Sequence, residues 1–224
     1  MGLVHKEGIL GGCDCQATSS DGNIASSNFK KIIRLDSHSL LAISGVAGLG
    51  IEMARLLRTN LCYEADLREG EYVPPKTKAN MVADRLRSMF PSAISLNLIV
   101  APILITYDMD KREPGGRVVS IWPDGAIEPE KGFATGGSGN VPAKITIELM
   151  LGRLGKEPAE LTLNEACTIV VAALRMANRH DSHTGKSIYL QNIDKVGIET
   201  IDDDNEAVVE ARRMLQREEW FRNV

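Results

Sequence analysis

Residues 40–58 read LLAISGVAGLGIEMARLLR, which is an apolar strand, a glycine-rich turn and an amphipathic helix. A stretch of this kind can cradle the phosphates of a nucleotide, because glycine lets the backbone turn tightly and approach a pyrophosphate at the helix N-terminus. The glycines at 45, 48 and 50, however, follow the order G-x-x-G-x-G and not the dinucleotide order G-x-G-x-x-G. The acidic residue expected at the end of a second strand is missing too, because residues 64–70 read as a polar helix end. The pattern therefore disfavours a nucleotide site, and the glycines need another explanation.

Strand patterns precede this stretch, and helical patterns follow it. Strand-like stretches at 31–35 (KIIRL) and 40–43 (LLAI) enclose a polar turn, which predicts a hairpin. The first helix carries an apolar stripe of Met53, Leu56, Leu57 and Leu61, and the second carries Ala79, Val82, Ala83, Leu86 and Phe90. Because proline disrupts a helix, we expect the second helix to end at Pro91.

The second half of the chain repeats the order of strands followed by paired helices. Pro102 lies inside an apolar run and indicates a bulge or an edge strand. Thr162 and Glu165 have the spacing of a capping box, which predicts a helix start. The predicted elements are strands at 98–107, 117–122 and 126–127, helices starting near Pro142 and Thr162, a strand at 187–190, and a last helix with Val208, Ala211 and Leu215.

The order of the elements decides the fold class. Hairpin-linked strands form mainly antiparallel sheets, whereas a doubly wound fold needs strands and helices in strict alternation. Paired helices after each group of strands predict a helical layer on each outer side. The sequence therefore predicts an α+β fold, a four-layer αββα sandwich of two mainly antiparallel sheets between helix layers. No linker divides the chain, so residues 1–224 are expected to form a single domain.

Composition disfavours several functional classes. The formal net charge is -4 and no basic stripe is present, which argues against a nucleic acid partner. No apolar run approaches the roughly 18 residues of a membrane span, and the N-terminus lacks the layout of a signal peptide. We therefore expect a cytoplasmic protein that does not bind membranes.

The cysteines and histidines give no strong metal signal. Cys13 and Cys15 form a C-x-C pair, which is shorter than the usual zinc half-site. His180 and His183 could seat a metal on one helical face, but no third ligand is obvious. No metal and no cofactor is expected, and the four cysteines (Cys13, Cys15, Cys62 and Cys167) fit a reducing compartment.

Four local stretches, taken in order and with their separations, resemble the β-type subunit of the proteasome, most closely the actinobacterial kind. They are residues 2–14, residues 22–26 with 30–32, residues 44–50, and residues 137–139 with 181–185. The resemblance covers nearly the whole chain and implies the fold of the N-terminal nucleophile hydrolases. It also gives the opening glycines a role, because the strand-end glycine of this family supplies a backbone N–H to the oxyanion hole.

The resemblance implies a protease mechanism and assigns its residues. The family uses an N-terminal threonine whose hydroxyl attacks the peptide carbonyl, with its own α-amine as the base. By motif position, Lys31 would be the lysine beside the nucleophile and Asp14 the acid that holds it, while Gly45 would supply the oxyanion N–H. The residues that orient the terminal amine would be Ser138, Asp181 and Thr184, where Thr184 replaces the usual serine.

The resemblance also implies substrate contacts and partners. Thr18 matches the threonine whose backbone pairs with an extended substrate. Ala17, Ile43 and Ala47 match positions around the pocket for the residue before the cut, and their small or aliphatic side chains would favour apolar residues there. The implied partners are other β-type subunits in a ring, an α-type ring and unfolded polypeptide substrate.

The sequence departs from the family pattern at the nucleophile. Met1 falls where the family has its fourth mature residue, so the threonine would precede Met1. Either this chain is a non-catalytic ring subunit, or it continues from a threonine before Met1; the retained site residues favour a protease lineage. One extra residue between Thr18 and Asn23 also leaves open whether Lys31 or Lys30 faces the site, although alternation along the strand separates the two.

Overall fold

The computed structural model describes residues 1–19, 21–70, 72–110, 112, 115–202 and 205–216. Its strands are β1 (Gly2–His5), β2 (Gly8–Asp14), β3 (Ala17–Thr18), β4 (Ile24–Ser26), β5 (Ile32–Asp36), β6 (Ser39–Ala42), β7 (Ile103–Asp108), β8 (Gly115–Ile121), β9 (Ile127–Pro129), β10 (Phe133–Ala134), β11 (Ile188–Asp194) and β12 (Ile198–Ile201). Its α-helices are α1 (Ala47–Leu67), α2 (Pro75–Leu96), α3 (Asn140–Leu154), α4 (Leu163–His180) and α5 (Glu206–Gln216), and a 3-10 turn covers Pro158–Glu160.

The strands form two five-stranded sheets and one small hairpin. The first sheet has the order β10-β1-β2-β11-β12, and the second has the order β5-β6-β7-β8-β9. All the pairings in both sheets are antiparallel. The predicted hairpin is present as β5 and β6, with Ile32 opposite Ala42, while β3 and β4 pair separately.

Three apolar cores separate four layers. The helices α3, α4 and α5 cover the first sheet, and α1 and α2 cover the second. Between the sheets lies a third core, in which Ile9 of β2 and Ile105 of β7 are fully buried. The predicted αββα sandwich is therefore confirmed.

Helix α4 begins where the capping box predicts. Thr162 Oγ1 accepts from the backbone N of Glu165 at 3.3 Å, and Glu165 Oε2 accepts from the backbone N of Thr162 at 2.9 Å. These bonds satisfy helix N–H groups that have no intrahelical acceptor. One face of α4 is buried against the first sheet and the neighbouring helices: Ala166, Ile169, Val170, Ala173 and Ala177.

Two predictions made from prolines are wrong. Helix α2 continues through Pro91, which is exposed, and ends instead at Asn97, whose left-handed backbone has a φ of 53°. A proline on an exposed face removes one helix hydrogen bond, whereas a left-handed residue turns the chain out of the helix. The bulge or edge strand expected from Pro102 is absent: the strand expected over 98–107 begins only at Ile103, directly after Pro102, and as β7 it lies between β6 and β8 inside the second sheet.

The last helix is present as α5, with Val208 and Ala211 buried as expected, while the side chain of Leu215 lies outside the described residues. Among the described helices, none combines the length and the apolar character that crossing a membrane requires.

Candidate active site

A cavity of about 510 Å³ opens where the two sheets come together. Its walls come from the end of β2, the residue before β5, the turn from β6 into α1, and the loops around 136–139 and 183–184. Nine of the ten residues named from the sequence line it: Asp14, Ala17, Thr18, Lys31, Ile43, Gly45, Ala47, Ser138 and Thr184. The tenth, Asp181, is bonded to two of them.

A lysine–carboxylate pair forms the charged centre of the cavity. Lys31 Nζ donates to both oxygens of Asp14, at 2.8 and 2.9 Å. Asp14 is only 7% exposed, and its Oδ2 also accepts from the backbone N of Gln16 and of Gly185, each at 2.9 Å. These four bonds fix the carboxylate and, with it, the direction of the ammonium group.

The neighbouring lysine points away from this centre. Lys30 Nζ lies 4.3 Å from the centroid of the Tyr189 ring, in cation–π contact. The extra residue in the β3–β4 hairpin thus does not shift the register, and Lys31, not Lys30, reaches Asp14.

Gly45 follows β6, lines the cavity and has an unpaired backbone N–H. Gly45 forms a β-bridge with Val100 in which the flanking residues make the bonds: Val46 N donates to Ile99 O and Ala101 N to Ser44 O. In such a pair the central residues exchange no hydrogen bond, and the described part of the chain offers no other acceptor to Gly45 N–H.

The backbone at Gly45 accepts only glycine. Its φ is +93°, and a Cβ there would lie 2.1 Å from the carbonyl oxygen of Ile99. Gly50 is needed for a different reason, because a Cβ would lie 2.2 Å from Ile43 Cγ2 where α1 packs on β6. Backbone conformation and helix packing therefore account for these two glycines without a nucleotide.

Two loops meet at a shared carboxylate. Asp181 Oδ2 accepts from Ser138 Oγ at 2.5 Å and from Thr184 Oγ1 at 2.6 Å, and Oδ1 accepts from the backbone N of His183 at 3.2 Å. Burial alone would raise the pKa of Asp181, but these hydrogen bonds outweigh it and lower the pKa below its usual value. A Cβ on Gly139 would lie 2.7 Å from Thr184 Oγ1, so glycine allows the loops to approach each other.

Much of the rest of the wall is apolar. Ala17, Ile43 and Ala47 line the cavity as expected, and Phe29, Val46 and Leu98 join them. Sequence reasoning missed these three because an apolar residue beside a cavity has the same pattern as one in a core. Thr18 Oγ1 is buried and has no hydrogen-bond partner within the described residues.

Sequence reasoning also missed Gln16, which links two parts of the site. Its Nε2 donates to the backbone oxygen of Ser182 at 2.9 Å, and this bond joins the end of β2 to the 181–185 loop. The sequence signal that could have identified Gln16 is its position, two residues after Asp14.

The metal hypothesis for the histidine pair gains no support. His183 lines the cavity and His180 is exposed at the end of α4. Nowhere in the described ranges do three or more His, Cys, Asp or Glu side chains form a group that could hold a metal ion.

The first residue of the chain continues a strand toward the charged centre. Met1 N donates to Gly12 O at 2.9 Å and Gly12 N to Met1 O at 3.0 Å, which adds one pair to the β1–β2 ladder. Because β1 and β2 are antiparallel, each residue further back along β1 lies opposite a residue one position further along β2. A third residue before Met1 would therefore lie opposite Cys15, next to Asp14.

Two antiparallel sheets between helix layers, with a lysine–carboxylate pair and a free backbone N–H at one end, define the sandwich of the N-terminal nucleophile hydrolases. A family model described as "Proteasome subunit" matches residues 1–193. The chain is similar to two proteins named proteasome subunit beta. It is 34% identical to that of Streptomyces griseus over 179 residues, 80% of this chain and 59% of that protein. It is 32% identical to that of Stackebrandtia nassauensis over 188 residues, 83% of this chain and 64% of that protein.

The chain thus spans less than two thirds of the length of either relative. It belongs to the proteasome subunit family, as a β-type subunit.

Proposed function

We propose that the chain is a proteasome core-particle subunit that serves protein degradation, and that its site hydrolyses peptide bonds with an N-terminal threonine. One observation carries the proposal. The Lys31 ammonium, fixed by buried Asp14, shares a cavity with the unpaired N–H of Gly45.

The cation would activate the nucleophile. A threonine hydroxyl has a high pKa, and an adjacent ammonium lowers this pKa by stabilising the developing alkoxide. Asp14 positions Lys31 for this role and touches no substrate itself. The β1–β2 register supports a position beside this pair for a third residue before Met1, which is where the nucleophile is needed.

The free N–H would stabilise the intermediate. When the hydroxyl oxygen bonds to the peptide carbonyl carbon, negative charge moves to the carbonyl oxygen, and a donor already aimed at that oxygen lowers the barrier. Losing one such donor typically costs about 3 kcal/mol of transition-state stabilisation. Gly45 offers its N–H from a backbone that its neighbours hold rigidly.

The shared carboxylate would orient the base. Ser138 Oγ donates its proton to Asp181, so its lone pairs are free to accept from the α-amine of the threonine. Thr184 holds the same oxygen of Asp181, which fixes the loop. The amine would take the hydroxyl proton and later give it to the leaving amine.

The wall of the cavity supports a preference for apolar side chains before the cut. Ala17, Ile43 and Ala47 are small or aliphatic, and Val46 and Leu98 extend the same surface. Strand β3, with Thr18, would pair with the extended substrate.

Assembly into a ring with other β-type subunits, seated on an α-type ring in the cytoplasm, completes the proposal. Helix α3 supports a protein contact, because Val141, Ile145 and Leu149 are 61%, 51% and 65% exposed on its outer face. Apolar residues four apart on a helix form a stripe, and exposed stripes of this kind mark protein interfaces.

The test supplies the nucleophile that the family pattern puts before Met1. Thr-Thr-Thr placed before Met1, behind a removable leader, should give slow cleavage of fluorogenic peptides after apolar residues. The same protein with Ala-Ala-Ala, which carries no hydroxyl, should give none. Rings that form but cleave nothing would identify a structural subunit instead. A protein that stays monomeric by size-exclusion chromatography with light scattering would contradict the ring.

A further inference from the structure

Ser44 precedes the glycine with the free N–H, and its side chain has no part in the proposed mechanism. Its Oγ donates to the carbonyl oxygen of Ala101 at 2.6 Å, and its own carbonyl oxygen accepts from Ala101 N at 3.1 Å. Both polar groups of the Ala101 backbone are therefore bonded to one residue, and both residues line the cavity. We call these two bonds the Ser44–Ala101 contact.

The backbone bond of this contact sets the direction of the Gly45 N–H. The Ser44 carbonyl and the Gly45 N–H belong to one planar, trans peptide group, so they point in opposite directions. Because the carbonyl points at Ala101 N, the N–H points away from the segment 99–101. A rotation of this peptide group that redirects the N–H must break the bond to Ala101.

Glycine by itself does not hold this direction. Gly45 has a φ of +93°, but glycine populates positive and negative φ about equally, so bonds on either side of it must maintain the conformation. After Gly45, Val46 N donates to Ile99 O at 3.0 Å. Before it, the backbone bond to Ala101 is reinforced by the Ser44 hydroxyl, whose bond of 2.6 Å is at the short end of the usual O–H···O range.

The residue after Ala101 makes it a rigid anchor. A residue that precedes proline is restricted to extended conformations, and Pro102 is buried. Pro102 O also accepts from Ile121 N at 3.1 Å, which joins the segment to β8. Pro102 forms neither a bulge nor an edge, and its effect is to limit the movement of the residue to which Ser44 is bonded.

We propose that Ser44 is a positioning residue for peptide cleavage, whose hydroxyl holds the Ser44–Gly45 peptide group so that the Gly45 N–H stays directed at the oxyanion. The inference rests on the proposed function, in which this N–H stabilises the charge on the carbonyl oxygen. Ser44 acts through Gly45 in this role. Its loss therefore weakens the stabilisation of the transition state and leaves the binding of the substrate unchanged.

Ser44→Ala in the threonine-bearing protein measures the effect on cleavage. The net contribution of one hydrogen bond corresponds to about a fivefold change in an equilibrium constant, and a displacement of 1 Å can cost about a hundredfold in rate. We expect kcat to fall about tenfold while KM stays within about twofold. Ser88→Ala is the matched control, because Ser88 Oγ also donates to a backbone carbonyl, that of Arg85, on exposed α2. It should leave both constants unchanged.

Two substitutions of similar shape separate the hydroxyl from packing. Threonine and valine have branched side chains of nearly equal size, but only threonine has a hydroxyl to donate. Ser44→Thr should keep kcat within about threefold of the unsubstituted value, whereas Ser44→Val should lower it at least as far as Ser44→Ala. Equal activity of these two variants would overturn the positioning role.

A transition-state analogue reports on the oxyanion directly. A peptide aldehyde adds to the threonine hydroxyl and forms a tetrahedral adduct whose oxygen takes the place of the oxyanion, whereas the matching peptide alcohol binds without adding. Ser44→Ala should weaken binding of the aldehyde about tenfold and of the alcohol less than about twofold. Equal weakening of both would show that Ser44 only supports the shape of the cavity, and the proposal would fail.

Hydrogen exchange tests the contact in the chain without an added threonine, so it does not depend on cleavage. In the unsubstituted chain, the Ala101 and Val46 amides should be protected at least about tenfold more than the Gly45 amide, which has no acceptor within the described residues. A Gly45 amide as protected as the other two would overturn the inference, even if every variant misfolds.

The same measurement on Ser44→Ala isolates the hydroxyl. The Ala101 amide should exchange about fivefold faster, as expected for the loss of one hydrogen bond, while the Ile121 amide, whose acceptor is Pro102 O, should not change. Unchanged exchange at Ala101 would refute the positioning role, whatever the protein cleaves. A threonine-bearing protein that cleaves nothing, with the exchange results as expected, refutes the proposed function and the role in cleavage, while the Ser44–Ala101 contact stands.

Discussion

The two adjacent lysines allow a test in which one residue serves as the control for the other. Lys31→Met removes the ammonium bonded to Asp14, and Lys30→Met removes the ammonium over Tyr189. Methionine keeps an unbranched chain of similar length, so each variant loses charge with little change in packing. The two lysines are neighbours in sequence, but their side chains point to different partners.

The structure predicts different losses of folding stability for the two substitutions. Removing one partner of a fully buried ion pair costs about 3–5 kcal/mol because a charge is left unpaired. The Lys31 side chain is 24% exposed, and Asp14 keeps its bonds to Gln16 and Gly185, so we expect about 2 kcal/mol for Lys31→Met. An exposed cation–π contact contributes about 0.5 kcal/mol, which is the expected cost of Lys30→Met.

Urea unfolding followed by circular dichroism measures the difference. With an m-value of about 2–3 kcal/mol/M, Lys31→Met should lower the midpoint by about 0.7–1 M and Lys30→Met by no more than about 0.25 M. In the threonine-bearing protein, Lys31→Met should also abolish cleavage while Lys30→Met retains it. Equal midpoint shifts, or a larger one for Lys30→Met, would refute the assignment of Lys31 as the residue that Asp14 holds.

Two further predictions concern the backbone and the pH dependence. In the threonine-bearing protein, Gly45→Ala should abolish cleavage and lower stability by about 2 kcal/mol or more, because alanine strains the positive φ and its Cβ meets Ile99 O. Urea unfolding and peptide cleavage report the two effects, and Gly48→Ala, with open space around it, is the control. Burial lowers the pKa of His5 from its ordinary 6.5 despite the hydrogen bond to Asn192, so the unfolded chain binds that proton more readily and stability should fall as pH drops below 6.5. The free energy of unfolding, measured by urea unfolding between pH 7.5 and 5.5, should fall toward low pH by up to about 1.4 kcal/mol per pH unit, and His5→Gln should remove this slope. An unchanged slope in that variant would contradict the assignment.

The parts of the fold that follow from local patterns could be predicted from the sequence. Periodicity and turn signals place the hairpin of β5 and β6, and the capping box at Thr162 fixes the start of α4. Neighbouring residues of an extended chain point to opposite sides, which separates Lys30 from Lys31 just before β5 and is a local property as well. The two wrong predictions concern prolines whose effect depends on their surroundings: α2 tolerates Pro91 on its exposed face, and Pro102 lies before β7 instead of within it.

The parts that depend on distant residues could not be predicted. Lys78 is 2% exposed inside α2, where its Nζ contacts Asp36 Oδ2 at 2.8 Å and Ser39 Oγ at 2.6 Å. A lysine on a helix normally reads as a surface residue, and its partners lie about 40 positions earlier in the chain. The residues of the site were assigned from the family resemblance, because spacing alone brings neither Asp14 to Lys31 nor Ser138 to Asp181.

The energetics of the cavity favour a catalytic ancestry over a purely structural one. A buried ion pair can often be replaced by apolar residues without loss, or with a gain of about 1–4 kcal/mol. The Asp14–Lys31 pair carries part of this cost, because Asp14 is buried while the Lys31 side chain is 24% exposed. Gly45, which has no backbone partner for its N–H, lines the same cavity. Assembly contacts on the helix layers gain nothing from either feature, whereas stabilising an alkoxide and an oxyanion requires both. Their presence together in one cavity therefore supports the proposal of peptide-bond hydrolysis over the alternative of a purely structural subunit.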